Sequence, residues 1–218
     1  VDLWPLYGRL ALKDQQAALA PCAPGRRKIV LATDVAETSL TIEGVRVVVD
    51  SGLQRRPEYD ARRGAQRLVT RQIPLSSAEQ RRGRAGRTEP GVCVRLWAQA
   101  SEEGMASHAR PEILEADLAG LALDLALWGE KPSDLPFVTQ PPSGSFRAAQ
   151  GLLQGLGALD TRGGITGKGR IMAGSGLSPR VAATLHACKG ADLPRAALLC
   201  ALLEEDQGCY EGDVAGLL

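Results

Sequence analysis

Two short runs constrain the fold more than any other feature: Lys28-Ile29-Val30-Leu31-Ala32-Thr33 and Val45-Arg46-Val47-Val48-Val49-Asp50. Both are rich in β-branched residues, and the first is apolar at consecutive positions, so it leaves no polar face for solvent. That pattern predicts strands of a parallel sheet covered on both faces. Gly91–Trp97 reads as a third strand, and Lys13–Leu19 and Ser76–Arg87 read as helices, the second with Ser76 or Ser77 as a ready N-cap. Strand alternating with helix predicts an α/β unit over roughly residues 1–100. Arg55–Tyr59 and Gln66–Ile73 flank a turn around Asp60–Gly64, the signature of a basic β-hairpin inserted between the second and third strands.

After Pro111 the pattern changes. Apolar residues at Ile113, Leu114, Leu118, Leu121, Leu125 and Trp128 predict a helix over Ile113–Trp128, and Phe146–Leu156 repeats that spacing. Prolines 132, 136, 141 and 142 break the chain between them. Leu159, Asp160, Arg162, Gly163, Gly164 and Ile165 read as a short two-stranded turn before a helix near Lys168–Ala173. Helices, a small hairpin and a further helix make a winged-helix-like module, and the residues from Pro179 onward are helical in pattern. The 218 residues, 44% hydrophobic, are enough for one large domain or two to three small ones.

The net charge of +1 hides a division. Residues 1–110 carry 18 basic and 12 acidic side chains, whereas residues 111–218 carry 8 and 13. Arg55–Arg87 alone holds ten arginines against three acids, an excess that suits phosphate groups as well as a solvated basic face. No apolar run approaches the length of a membrane span, and Val1–Leu12 lacks the basic head and apolar stretch of a signal peptide. The absence of an initiator Met suggests a piece of something longer. Five scattered cysteines without a C-x-x-C pair are expected to be reduced core residues of a cytoplasmic protein. The two distant histidines, His108 and His186, offer no metal-ligand spacing.

Two segments carry chemistry. Gln80-Arg81-Arg82-Gly83-Arg84-Ala85-Gly86-Arg87 would place Gln80, Arg84 and Arg87 on one face if helical, with Gly83 and Gly86 permitting close backbone approach. Paired guanidiniums with an amide one turn earlier suit the oxygens of a transferring phosphoryl group and an oriented water. Thr33-Asp34-Val35-Ala36-Glu37-Thr38-Ser39-Leu40-Thr41-Ile42-Glu43-Gly44 begins where a strand ends, the usual ligand edge of an open α/β sheet. Its hydroxyls suit phosphate or sugar oxygens, and equally a capped turn.

In order and about 45 residues apart, these segments resemble motifs V and VI of superfamily 2 helicases in their DEAH-box form. Gln80 heads motif VI where the DEAD-box group has His. Pro5-Leu6-Tyr7-Gly8-Arg9-Leu10, Pro111-Glu112-Ile113 and Gly155-Leu156-Gly157-Ala158-Leu159-Asp160 look most like the bacterial HrpB-type ATP-dependent helicases. The resemblance implies a fold of three parts: a second RecA-like domain over 1–110, truncated at its start, a winged-helix domain over 111–178, and the start of a helical ratchet-like region over 179–218.

The resemblance also implies roles. Gln80 would orient the attacking water, and Arg84 and Arg87 would be arginine fingers on the γ-phosphate. Thr41 and Glu43 match nucleotide-binding positions. Gly8, Thr33 and Asp34 match nucleic-acid-binding positions, although many relatives have Asn where Asp34 stands. Ser39 matches the sensor between the two sites. Leu19 stands where eukaryotic relatives place a base-stacking aromatic, which implies weak adenine selectivity. ATP with Mg²⁺ is the implied cofactor, bound mainly by a first RecA-like domain, which is itself an implied partner. Single-stranded or duplex nucleic acid is the other, RNA rather than DNA, with no membrane. The chain carries no G-x-x-x-x-G-K-[ST] and no Asp-Glu-Ala-His, so it is expected not to hydrolyse ATP alone. The alternative is a winged-helix nucleic-acid-binding module without motor activity.

Overall fold

A computed structural model of the chain describes residues 1–38, 42–60, 65–87 and 89–204, with the side chains of 38, 65 and 66 excepted. Contacts divide it into two compact units that meet in sequence at Arg110 and Pro111.

The first unit is α/β. Strand β1 (Asp2–Leu6) leads through helix α1 (Leu12–Leu19) to β2 (Lys28–Ala32), which pairs with β1 in parallel, Leu6 opposite Ala32. A single helical turn, α2 (Val35–Thr38), follows. Strand β3 (Val47–Asp50) then gives way to β4 (Leu53–Asp60) and β5 (Ala65–Gln72), an antiparallel hairpin in continuous register from Leu53 opposite Gln72 to Asp60 opposite Ala65. Residues 61–64, most of the turn read from sequence, lie outside the described residues. Helix α3 (Leu75–Arg82) returns the chain to β6 (Val92–Arg95), parallel to β3. Gly52, at φ +72°, makes the sharp exit from β3, where the Trp97 ring leaves no room for a Cβ.

Two expectations are corrected here. The parallel sheet is realised as two separate parallel pairs among the described strands. Nor are the apolar runs covered on both faces. Leu3, Ile29 and Leu31 of one pair, and Val47, Val49, Val92 and Val94 of the other, are exposed, while their alternating neighbours Trp4, Leu6, Val48 and Cys93 are at least partly buried. The period-two alternation of a strand separates the faces, and α1 packs against β1 while α3 packs against β3. Strand β1 is not among the strands read from the sequence, since Pro5 interrupts its donor pattern.

The second unit is helical: α4 (Ala119–Trp128), α5 (Ser143–Gly155), α6 (Gly167–Gly174), α7 (Pro179–Ala187) and α8 (Leu193–Glu204). Its core joins Leu118, Leu123, Leu125, Phe146, Leu153 and Met172 with small alanines between them. The helix expected from Ile113 starts only at Ala119. Residues Glu112–Leu114 form a 3₁₀ turn, and the Asp117 carboxylate accepts the Ala119 N–H at 3.0 Å, ending the irregular segment. An antiparallel bridge joins Leu159 to Ile165 before Thr166, whose hydroxyl oxygen accepts the Gly169 N–H at 3.0 Å and caps α6. Arg180 on α7 forms an ion pair with Asp117.

Of the described cysteines, none is in a disulfide. Only Cys200 is buried, Cys93 and Cys188 are half-buried and Cys22 is exposed, so the expectation of core thiols holds for one position. No described helix is long and apolar enough to cross a membrane.

Candidate functional site

Helix α3 positions the arginine-rich segment. It has no side-chain cap: Pro74 is its N-cap, and the N–H groups of Leu75 and Ser76 donate to the main-chain carbonyls of Ala106 and Ser107 at 2.9 and 3.0 Å. Ser76 and Ser77 therefore sit inside the first turn, because a returning segment already satisfies the orphan donors. Ile73, Ala78 and Met105 bury the base of α3. The helix ends at Arg82, five residues short of the expected Arg87. Gly83 donates its N–H to the Glu79 carbonyl, and Arg84 and Ala85 donate to Arg81 and Arg82 at 3.1 Å, so the chain tightens into a turn. Gln80 lies on α3, while Arg84 and Arg87 lie on the turn that follows. The single helical face expected of all three does not form.

The glycines also act differently from expectation. A Cβ on Gly86 would meet nothing within 4 Å, and one on Gly83 would make ordinary contacts. The close approach is made by Gly91, where a Cβ would stand 1.9 Å from the Ala85 carbonyl oxygen. Gly91 thus holds the arginine-bearing turn against β6.

Arg81, between these positions, is the best-connected side chain in the segment. Its Nε donates to Glu37 Oε2 at 3.0 Å, and its Nη1 donates to Asp50 Oδ1 at 3.0 Å and to the Leu53 carbonyl at 3.2 Å. Asp50 is 3% exposed; its Oδ1 also accepts the Gly52 N–H at 2.9 Å, and its Oδ2 is buried without a hydrogen-bond partner. A buried carboxylate at the end of an apolar strand requires a cation, and Arg81 supplies it. Burial, with the Asp50 charge adding, pushes the neighbouring Cys93 thiol up from its ordinary range. Glu79 and Arg95 extend the ion pairs around α3, Arg95 also bonding Glu102.

Arg84 is half-buried and its Nη2 donates to the Glu37 main-chain carbonyl. Burial lowers its pKa, and the positive charge of Arg87 lowers it further. Arg84 and Arg87 thus lie on one turn, with the first guanidinium partly withdrawn from water. Gln80 and Arg87 are exposed.

Gly8 follows the end of β1, and Thr33 and Asp34 follow the end of β2. The Thr33 N–H donates to the Leu6 carbonyl at 3.0 Å, which aligns the residues leaving β2 with those leaving β1, and all three positions are exposed. This is the carboxyl edge of a parallel pair. Glu43 is exposed in a turn with Gly44, and Leu19 is half-buried at the end of α1. Ser39 and Thr41 lie outside the described residues. No group of three or more His, Cys, Asp and Glu side chains that could hold a metal ion occurs among the described residues.

Residues 2–89 match the helicase conserved C-terminal domain, a stretch that spans every candidate position from Gly8 to Arg87. The ATP-dependent RNA helicase HrpB of Escherichia coli K12 is 46% identical over 207 residues, 94% of this chain and 26% of the bacterial protein. The chain belongs to the HrpB-type DEAH-box helicase family. A crystal structure of the E. coli DEAH/RHA helicase HrpB superposes with a TM-score of 0.89 at 45% identity, covering 95% of this chain and 27% of that one. Human DHX34, named as a probable ATP-dependent RNA helicase, is 41% identical over 170 residues, 78% of this chain and 15% of the human protein. The chain therefore spans about a quarter or less of the length of these family members.

Sequence reasoning missed Arg81, Glu37, Asp50 and Gly91. One signal was present: the lone acid closing Val47-Val48-Val49-Asp50 predicts a buried carboxylate in need of a cation.

Proposed function

We propose that the chain is the nucleotide-sensing and strand-holding part of an ATP-dependent RNA helicase. Residues 1–110 act as its second RecA-like domain, 111–178 as a winged-helix domain and 179–218 as the start of a ratchet-like region. The observation that carries the reading is the turn bearing Arg84, half-buried, and Arg87, exposed, which Gly91 and the Glu37 carbonyl hold in place. An anionic phosphoryl group is the chemical complement of two guanidiniums carried on one turn. The packing of α4–α6 on one core, with the Leu159–Ile165 bridge between α5 and α6, supports the winged-helix assignment.

A first RecA-like domain, the implied partner, would hold ATP and Mg²⁺, and the ion would neutralise charge on the phosphates. This chain contributes donors and cations. Gln80 orients water, Arg84 and Arg87 stabilise charge developing on the γ-phosphoryl oxygens, and Glu43, with Thr41, contacts the nucleotide. Arginine fingers contribute about 10³–10⁵ in rate. Gly8, Thr33 and Asp34 hold strand phosphates at the carboxyl edge of β1 and β2, and Ser39 reports between the two sites. The β4–β5 hairpin, with Arg55 and Arg67 exposed, wedges the duplex. The helicase works in the cytoplasm.

The test is ATP turnover by the full-length helicase with RNA, with DNA and with neither, alongside the isolated chain. The proposal predicts stimulation by RNA, loss of turnover in Arg87→Ala, and no turnover by the isolated chain. Nucleic-acid binding with no stimulated turnover would favour a binding module instead.

A further inference from the structure

Arg84 is held by a main-chain carbonyl, so what fixes that carbonyl also fixes the guanidinium. Glu37, which supplies it, sits in the one-turn helix α2, entered through the Ala36 N–H to Thr33 carbonyl bond at 3.3 Å and the Glu37 N–H to Asp34 carbonyl bond at 2.8 Å. A helix of one turn does not hold its shape unaided. The Glu37 side chain is instead clamped from α3, 12% exposed, by an Arg81 fork that also grips Asp50 at the end of β3 and the Leu53 carbonyl opening β4. One planar guanidinium thus ties three segments together, and the element it steadies carries the Arg84 acceptor at one end and Thr33–Asp34 at the other.

We propose that Arg81, clamped between Glu37 and Asp50, is the positioning residue for the catalytic guanidinium of Arg84. Arg81 is engaged by Glu37, Asp50 and the Leu53 carbonyl, and it acts through the Glu37 carbonyl. The inference rests on the arginine-finger reading of Arg84. Lysine at position 81 keeps the charge but has no fork, so it reaches one carboxylate and releases the other.

A kinetic cycle in the full-length helicase at saturating RNA tests this. Arg81→Lys is expected to lower kcat about tenfold and to change KM for ATP less than about twofold, because a misplaced finger is felt in the transition state rather than in ground-state binding. In an Arg84→Ala background the same substitution is expected to cost less than about twofold, since no guanidinium remains to be placed. Equal losses in both backgrounds overturn the proposal and leave Arg81 a purely structural clamp. Glu37→Gln, which retains the side-chain volume and the main-chain carbonyl, repeats the cycle where Arg81→Lys fails to fold, with the same two outcomes. If Arg84→Ala by itself keeps turnover within about threefold, the arginine-finger reading falls and the positioning role with it. A strongly impaired Arg84→Ala with an additive cycle removes the positioning role alone.

Discussion

Gly91→Ala is the smallest perturbation that should disarm the site without touching a functional side chain. The added Cβ would stand 1.9 Å from the Ala85 carbonyl oxygen, 2.6 Å from its carbon and 2.8 Å from the Ala85 Cβ, so at least 1.1 Å of separation must open to reach 3.0 Å. All of those atoms are main chain or Cβ, and none can swing away as a flexible side-chain end would. On the other side, β6 is fixed by its pairing with β3 and by the Val92 N–H to Arg46 carbonyl bond at 2.8 Å. The turn carrying Arg84 and Arg87 therefore has to move. A misplacement of about 1 Å costs about 10²-fold in rate, and overpacking of this kind costs about 1–3 kcal/mol of stability. The assays are RNA-stimulated ATP turnover of the full-length protein and thermal melting of the chain, with Gly120→Ala, which meets nothing within 4 Å, as the steric control. Gly91→Ala turnover within about threefold of the parent, with an unchanged melting temperature, would refute the packing argument.

Two further predictions concern stability. Leu153 is fully buried at the centre of the helical unit, so Leu153→Ala should cost about 2–5 kcal/mol, whereas Trp128→Ala, at 63% exposure, should stay within about 0.5 kcal/mol; equal melting temperatures for the two variants would contradict that core. The Glu79 carboxyl is held below the ordinary glutamate range by its hydrogen bond to Arg95, with Arg82 assisting. A depressed folded-state pKa contributes stability above the unfolded-state value that is lost as pH falls through the folded-state one, so melting temperature should fall on acidification below about pH 4.3. Glu79→Gln should fall less steeply there than the parent, by a small margin because Glu79 is half-exposed; parallel pH profiles would count against the pairing.

The sequence made some of this legible through local patterns. Val47–Asp50, Val92–Arg95 and the β4–β5 hairpin were readable because β-branched runs and a turn between basic strands are local signals. Phe146–Leu156 was readable because its apolar period matches a helix turn. What stayed hidden depends on partners distant along the chain. Arg81 meets Glu37 across 44 residues and Asp50 across 31, and no periodicity encodes such pairs. Helix α3 takes its N-terminal acceptors from Ala106 and Ser107 rather than from the serines beside it. Its early end at Arg82 follows from Gly83, which a family pattern treats as a fixed letter but which is also a poor helix residue. Gly91 gave no signal, since a close backbone approach appears only once β6 and the arginine turn are both in place.

The most direct measurement is single-turnover ATP hydrolysis by the full-length helicase at saturating RNA, comparing the parent with Arg84→Ala. The account predicts a loss of about 10³-fold or more in the hydrolysis rate, with ATP affinity retained within about tenfold. A hydrolysis rate within about threefold of the parent would contradict it.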